Sequence, residues 1–234
     1  MSTNLPLDLP RFTVDAVAFD LDGTLVDSVR DLACALNLML AENGLPALDT
    51  AIVADLVGKG TANLVRRAIV AVRGDEPRAG ELAHLLERFE SHYAQALGRE
   101  TVPYPDAAAT LETLRSAGYR LAVVTNKPRR FVEPHLDAAG IGAYFDVVVG
   151  GGDTTARKPD AEPLRFAAER LGVVPAHMLM VGDSANDAQA ARAAGCPVVL
   201  VPYGYREGMP VESIECDGIV ASLSAVVALV RRTV

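Results

Sequence analysis

At 234 residues the chain exceeds the usual single-domain length but falls short of two full domains, which fits a core domain carrying a smaller inserted unit. Half of it is hydrophobic (50%) and 22% is charged, ordinary globular usage that excludes a disordered chain. With 22 Lys plus Arg against 30 Asp plus Glu, the net charge of -8 repels phosphate backbones and anionic lipid, so neither nucleic acid nor membrane is an expected partner.

The opening MSTNLPLDLPRF has neither the basic start nor the apolar run of a signal peptide, and no stretch offers 18 uninterrupted apolar residues. The expected location is the cytoplasm. The first predicted strand, AVAF at residues 16–19, is continuously apolar rather than alternating, as buried parallel strands are. DLDGT follows it directly.

From Ser28 to about Gly98 only helical patterns occur: SVRDLACALNLMLAENG, TANLVRRAIVAVRG and AGELAHLLERFESHYAQALG. Ser28 is expected to cap the first of them, with Asp31 as the acidic partner near the positive helix end. GRETVPYPD then returns the chain to extended backbone through two prolines.

Beyond it, strands and helices alternate, which predicts an open parallel α/β sheet. The strands are LAVVT, FDVVVG, MLMVG and CPVVLVP; the helices DAAATLETLRSAG, EPLRFAAERLG and ANDAQAARAAG each close on glycine. The helical insert leaves the sheet after the first strand, at the carboxyl edge where such sheets bind ligands, and is placed to act as a lid.

In a strand, residues two apart share a face, so Asp20 and Asp22 project together if the extension persists past Phe19. Two such carboxylates repel unless one is protonated or a cation lies between them. A simple Asx-type turn at a strand end explains DLDG equally well on its own. An EF-hand loop does not, because its glycine stands at position six and here it stands at four.

A second acidic cluster follows another apolar run, MLMVGDSAND, with Asp183 at the strand end and Asp187 one helical turn on. Two strand-end clusters in one parallel sheet can converge into an oxygen-rich site of the kind that suits Mg²⁺. Thr125 and Asn126 end a third strand, and Lys158 precedes a helix; each alone reads as a turn former or a solvated side chain. Only Lys59, Lys127 and Lys158 are lysines in a chain that otherwise uses arginine, and all three are expected in loops. Cys34, Cys196 and Cys216 lack metal-ligand spacing and are expected to be reduced.

The ordered set DLDGT, VVTNKP, RKPD and VGDSAND resembles the motifs of the haloacid dehalogenase-type phosphohydrolases over nearly the whole chain, from Val14 to Ser224. The resemblance implies a Rossmann-like α/β core at 1–25 and 101–234, with an all-helical cap at 26–100. It implies that Asp20 is the nucleophile, forming an aspartyl-phosphate, and that Asp22 protonates the leaving oxygen and then activates water. Mg²⁺ would be held by the Asp20 carboxylate, the Asp22 backbone carbonyl and Asp183, with Asp187 nearby. Thr125, Asn126 and Lys158 would hold the phosphoryl group. For Asp22 to serve as an acid its environment is expected to raise its pKa from the reference value of about 3.9.

Within the family, FDLDGTLVDSVRDL and VPYGYREG look most like bacterial phosphoglycolate phosphatases, which implies hydrolysis of 2-phosphoglycolate to glycolate and phosphate. Gly58, Lys59 and Gly60 form the candidate specificity loop of the cap. GKG there is no nucleotide-binding P-loop, since the upstream glycine is replaced by Val53 and Gly60 follows the lysine. A sugar-phosphate phosphatase, a β-phosphoglucomutase-like enzyme and, outside catalysis, a phospho-accepting regulatory module are the alternatives. A small phosphate ester is the expected partner, and the chain a monomer or homodimer.

Overall fold

The computed structural model describes residues 10–78 and 80–233. Residues 1–9, most of the stretch in which no signal peptide is expected, lie outside the described residues. The short β1 (Phe12–Thr13) leads into β2 (Ala16–Phe19), and β3 (Val26–Asp27) leads out of the DLDGT turn. Four helices follow: α1 (Val29–Glu42), α2 (Thr50–Leu56), α3 (Thr61–Arg73) and α4 (Glu81–Ala96). β4 (Val102–Pro103) brings the chain back, pairing antiparallel with β3, so the two links between helices and sheet lie side by side.

The remainder alternates: α5 (Ala107–Ser116), β5 (Arg120–Pro128), α6 (Arg129–Ala138), β6 (Val147–Gly151), α7 (Glu162–Leu171), β7 (Met178–Gly182), α8 (Ala185–Ala194), β8 (Val198–Leu200), β9 (Gly218–Ile219), α9 (Ser224–Leu229) and β10 (Val230–Arg231). The main sheet is parallel, in the order β6-β5-β2-β7-β8-β9, and β1 pairs with β10.

Its apolar strands are buried on both faces and divide their side chains by the strand period. Val17 and Phe19 of β2, Leu121 and Val123 of β5, and Leu179 and Val181 of β7 pack with Leu111 of α5, Val132 of α6 and Val226 of α9. Ala18, Val124 and Met180 point the other way, onto Leu164 of α7 and Ala191 of α8. The first four helices enclose a third cluster around Leu36, Met39, Ile69 and Phe89, into which Phe131 of α6 and Tyr205 reach. Among the described residues no helix is long and apolar enough to cross a membrane.

Ser28 does not cap α1 as expected. Its hydroxyl donates to Asp22 Oδ1 instead, and the amides of Ser28 and Val29 donate to the Tyr205 hydroxyl. Asp31, released from capping, accepts from the amides of Gly98 and Glu100 and from the Thr101 hydroxyl, fastening the return link to the first helix. The reciprocal capping box occurs at Ser184 and Asp187, at the start of α8. Sequence periodicity also missed α2, whose 7 residues fall short of the window in which a helical period shows, and α6, which carries Pro134 in its interior.

Candidate active site

β5, β2 and β7 lie side by side and end at the same edge, so the residues that follow them meet. Asp20, Asp22, Thr125, Asn126, Lys158 and Asp183 all line one cavity of about 70 Å³, closed from the other side by Gly58, Lys59, Gly60 and Thr61. Asp187 lies beneath it, fully buried, with Lys158 Nζ 2.6 Å from its Oδ1.

Asp20, Asp183 and Asp187 each present an oxygen within 4.8 Å of the others. The fold crowds them together on purpose-cut glycines: a Cβ on Gly23 would lie 2.4 Å from Asp183 Oδ2, and one on Gly204 2.3 Å from the same atom. Asp183 is oriented by the Thr24 hydroxyl, 2.8 Å from its Oδ1, and by the Tyr205 amide. Asp187 Oδ2 accepts from the hydroxyl and amide of Ser184 at 2.7 and 3.1 Å.

The charges do not balance within the protein. Lys158 Nζ, 2.9 Å from Asp20 and 2.6 Å from Asp187, is the one cation in contact with this trio among the described residues. Asp20 Oδ1 is buried and meets the Lys158 ammonium at 2.9 Å as an ion pair. Burial, followed by the nearby Asp187, raises the Asp20 carboxyl to about 6 against the pull of Lys158. Burial and the neighbouring Asp187 and Asp20 push Asp183 upward too. Burial opposes the charged form of Lys158, but Asp187 and Asp20 outweigh it and hold the ammonium protonated. Three carboxylates against one ammonium, offering hard oxygen donors, fit a divalent cation such as Mg²⁺ or Mn²⁺.

The Asp22 carboxylate stands apart from that trio. Ser28 Oγ donates to its Oδ1 at 2.6 Å, and Lys127 Nζ to both oxygens at 3.0 and 3.2 Å. Burial pushes its pKa up, but the charges of Lys127 and His135 and the hydrogen bonds from Ser28 and Lys127 overcome it, and the result is a lowered value. The expectation of a raised pKa is therefore corrected: the neighbouring cation decides, not the burial. Lys127 is also the penultimate residue of β5 rather than a loop residue.

Asn126 turns its side-chain amide onto the Lys158 carbonyl at 2.8 Å, fixing the loop that carries the lysine. Thr125 Oγ1 accepts from the Lys127 amide at 3.2 Å. On the cap side, Gly58, Lys59 and Gly60 all have positive φ, of 147°, 58° and 89°, which turns this loop down against the core. Lys59 Nζ is 3.8 Å from Glu207, and Glu207 also meets Arg67 of α3 at 3.4 Å and Asn186 of α8 at 3.0 Å. Sequence reasoning gave no site role to Lys127, Ser28, Tyr93, Tyr205 or Glu207. For Lys127 the rarity of lysine was a usable signal; Tyr93 carries none, because a helical tyrosine reads as core.

The chain belongs to the haloacid dehalogenase-like hydrolase family, whose family model matches residues 14–195. It is 44% identical over 220 residues to a phosphoglycolate phosphatase of Nitrosospira multiformis, covering 94% of this chain and 97% of the relative. It is 45% identical over 214 residues to a plasmid-borne phosphoglycolate phosphatase of Cupriavidus necator, covering 92% of each. The crystal structure of a predicted phosphoglycolate phosphatase from Haemophilus somnus superposes with a TM-score of 0.87 at 35% identity, covering 92% of this chain and 97% of that one.

Proposed function

We propose that this chain is a Mg²⁺-dependent phosphomonoester hydrolase of the cytoplasm, acting on 2-phosphoglycolate through an aspartyl-phosphate on Asp20. The observation that carries the reading is the Asp20 carboxylate, lining the cavity inside a cage of Lys158, Asp183 and Asp187 and paired through Oδ1 with the Lys158 ammonium. A carboxylate nucleophile needs nearby positive charge to offset its repulsion of the phosphate, and Lys158 supplies one here.

Asp20, Asp183 and the Asp22 backbone carbonyl would hold the metal, with Asp187 orienting them. When bound, Mg²⁺ supplies the positive charge that lets a phosphate dianion approach a carboxylate. An Asp20 oxygen attacks phosphorus, the ester oxygen departs, and Asp22 gives that oxygen a proton. Asp22 must take up this proton in the ester complex, because Lys127 and Ser28 hold it ionised in the free site. Asp22 then takes a proton from water as it attacks the aspartyl-phosphate, which releases phosphate and restores Asp20. Lys158, held in place by Asn126, and Thr125 steady the phosphoryl oxygens through both transfers.

The substrate assignment draws on the names of the relatives. Lys59 on the cap loop would meet the substrate carboxylate. In this reading residues 26–100 are a cap that closes over a core of 1–25 and 101–234, swinging on the paired β3 and β4.

The test is phosphate release from 2-phosphoglycolate, several sugar phosphates and a nucleoside monophosphate, with Mg²⁺ and with chelator. Preference for 2-phosphoglycolate that chelator abolishes is the expected result. A preference for a sugar phosphate overturns the substrate, and release unaffected by chelator overturns the metal.

A further inference from the structure

Tyr93, on α4 of the cap, is fully buried, and its hydroxyl accepts a hydrogen bond from Lys127 Nζ of the core. The same ammonium lies 4.7 Å from the Tyr93 ring centroid and donates to both oxygens of Asp22. The ring cannot drift: it stacks on Phe89 at 5.6 Å and meets the edge of Phe131 from α6 at 5.2 Å. A lysine head on its four-carbon stem is the least rigid way to hold a carboxylate, and here the hydroxyl and ring face of Tyr93 remove that freedom.

We propose that Tyr93 is the cap's positioning residue for proton transfer: acting through Lys127, it sets the Asp22 carboxylate in the orientation from which a departing oxygen is protonated. This rests on the reading of Asp22 as the acid. Lys127 and Asp22 belong to the core and Tyr93 to the cap, so the contact exists only with the cap docked. Proton transfer is thereby tied to closure, and an ester bound under an open cap is not cleaved. Misplacing a reacting group by an ångström costs on the order of 10²-fold in rate, which sets the effect to look for.

The test compares two esters of similar size. An alkyl phosphate such as 2-phosphoglycolate expels an alkoxide and needs the proton, whereas acetyl phosphate expels acetate, a stable anion that does not. The parameter read is kcat/KM with Mg²⁺, which covers only the steps up to formation of the aspartyl-phosphate and so leaves out the later role of Asp22 as a base. Tyr93→Phe keeps the ring and its stacking and removes only the hydroxyl. It is expected to lower kcat/KM for the alkyl phosphate on the order of 10- to 100-fold, and for acetyl phosphate by far less. Lys127→Met should repeat that selectivity.

Because the ratio of the two activities is taken on one sample, partial unfolding cancels. Equal losses on both esters, or no loss on either, overturn the proposal. Asp22→Asn separates the two readings. If it too loses both activities equally, Asp22 is not the acid; if it is selective while Tyr93→Phe is not, only the link through Tyr93 falls.

Discussion

Lys158 and Asp187 form a buried ion pair, 2.6 Å from Nζ to Oδ1, between the loop before α7 and the first turn of α8. The same ammonium reaches Asp20 at 2.9 Å, so one cation steadies both the proposed nucleophile and the residue beneath it. Lys158→Met leaves two buried carboxylates unpaired, an arrangement that typically costs 3–5 kcal/mol, about the loss expected here. Turnover should fall on the order of 10²- to 10³-fold, as when an oxyanion donor is removed. Lys158→Arg should rescue little, because a planar guanidinium does not fit a seat cut for a compact head that is 3% exposed. Steady-state rates and urea titrations of both variants check these outcomes.

Asp20→Asn should abolish turnover, because an amide cannot take the phosphoryl group and Asp22, Asp183 and Asp187 are each held by other partners. It should not destabilise the protein in chelator, since it removes one charge from a trio whose repulsion, among the described residues, Lys158 alone offsets. Wild type should gain about 2.7 kcal/mol from Mg²⁺ at a hundred times its dissociation constant. The gain should shrink sharply in Asp20→Asn. Thermal melts with Mg²⁺ and with chelator read both effects, and a full Mg²⁺ response in the variant would remove Asp20 from the ligand set.

Asp31 accepts from Gly98 N at 2.8 Å, Glu100 N at 2.9 Å and the Thr101 hydroxyl at 2.7 Å, and is 1% exposed. Three donors to one buried carboxylate make it the fastening between the two links to the cap. Asp31→Ala strands those donors at a cost of about 1–3 kcal/mol each where water cannot reach them. A net loss of about 3 kcal/mol in urea denaturation is expected, with Asp31→Asn losing less. Faster proteolysis around residues 98–101 should accompany it.

The acid pairs were legible because they carry chemistry in sequence order: Asp20 and Asp183 each end an apolar strand, and β2 and β7 are neighbours. Local pattern could not say what holds each acid. Whether Asp22 titrates high or low depends on Lys127, which stands 105 positions away, and on His135 from α6. Ser28 shows the same limit from the other side, since a sound capping signature lost to a nearby carboxylate. The boundaries of α2 and the loop around Glu207 depend on packing between distant segments, which no periodicity records.

The three cysteines differ in surroundings, with Cys34 exposed and Cys196 buried. Burial pushes the Cys196 thiol up to about 12, so it stays protonated throughout the neutral range, and only thiolate reacts. At pH 8 iodoacetamide should label Cys34 within minutes in the folded protein, and Cys196 only after denaturation. Mass spectrometry of the labelled peptides decides it, and equal labelling of both in the native state would contradict the packing around Cys196.

Gly204 offers a way to disturb the acidic site without altering any charge. A Cβ there would lie 2.3 Å from both Asp183 Oδ2 and the Gly23 carbonyl, closer than real Cβ contacts come. Its backbone is not in the left-handed region, so Gly204→Ala brings crowding and no torsional strain. The Asp183 carboxylate must rotate, breaking its bonds from Thr24 and the Tyr205 amide, or the 202–206 segment must retreat from the sheet edge. Either movement spoils convergence with Asp20. Gly204→Ala should therefore raise the Mg²⁺ concentration that turnover requires at least tenfold, roughly the effect of losing an orienting partner of a ligand. Saturating Mg²⁺ should restore part of the rate. Activity measured against Mg²⁺ concentration reads this directly, and an unchanged midpoint would show that Asp183 need not be held in this rotamer to act.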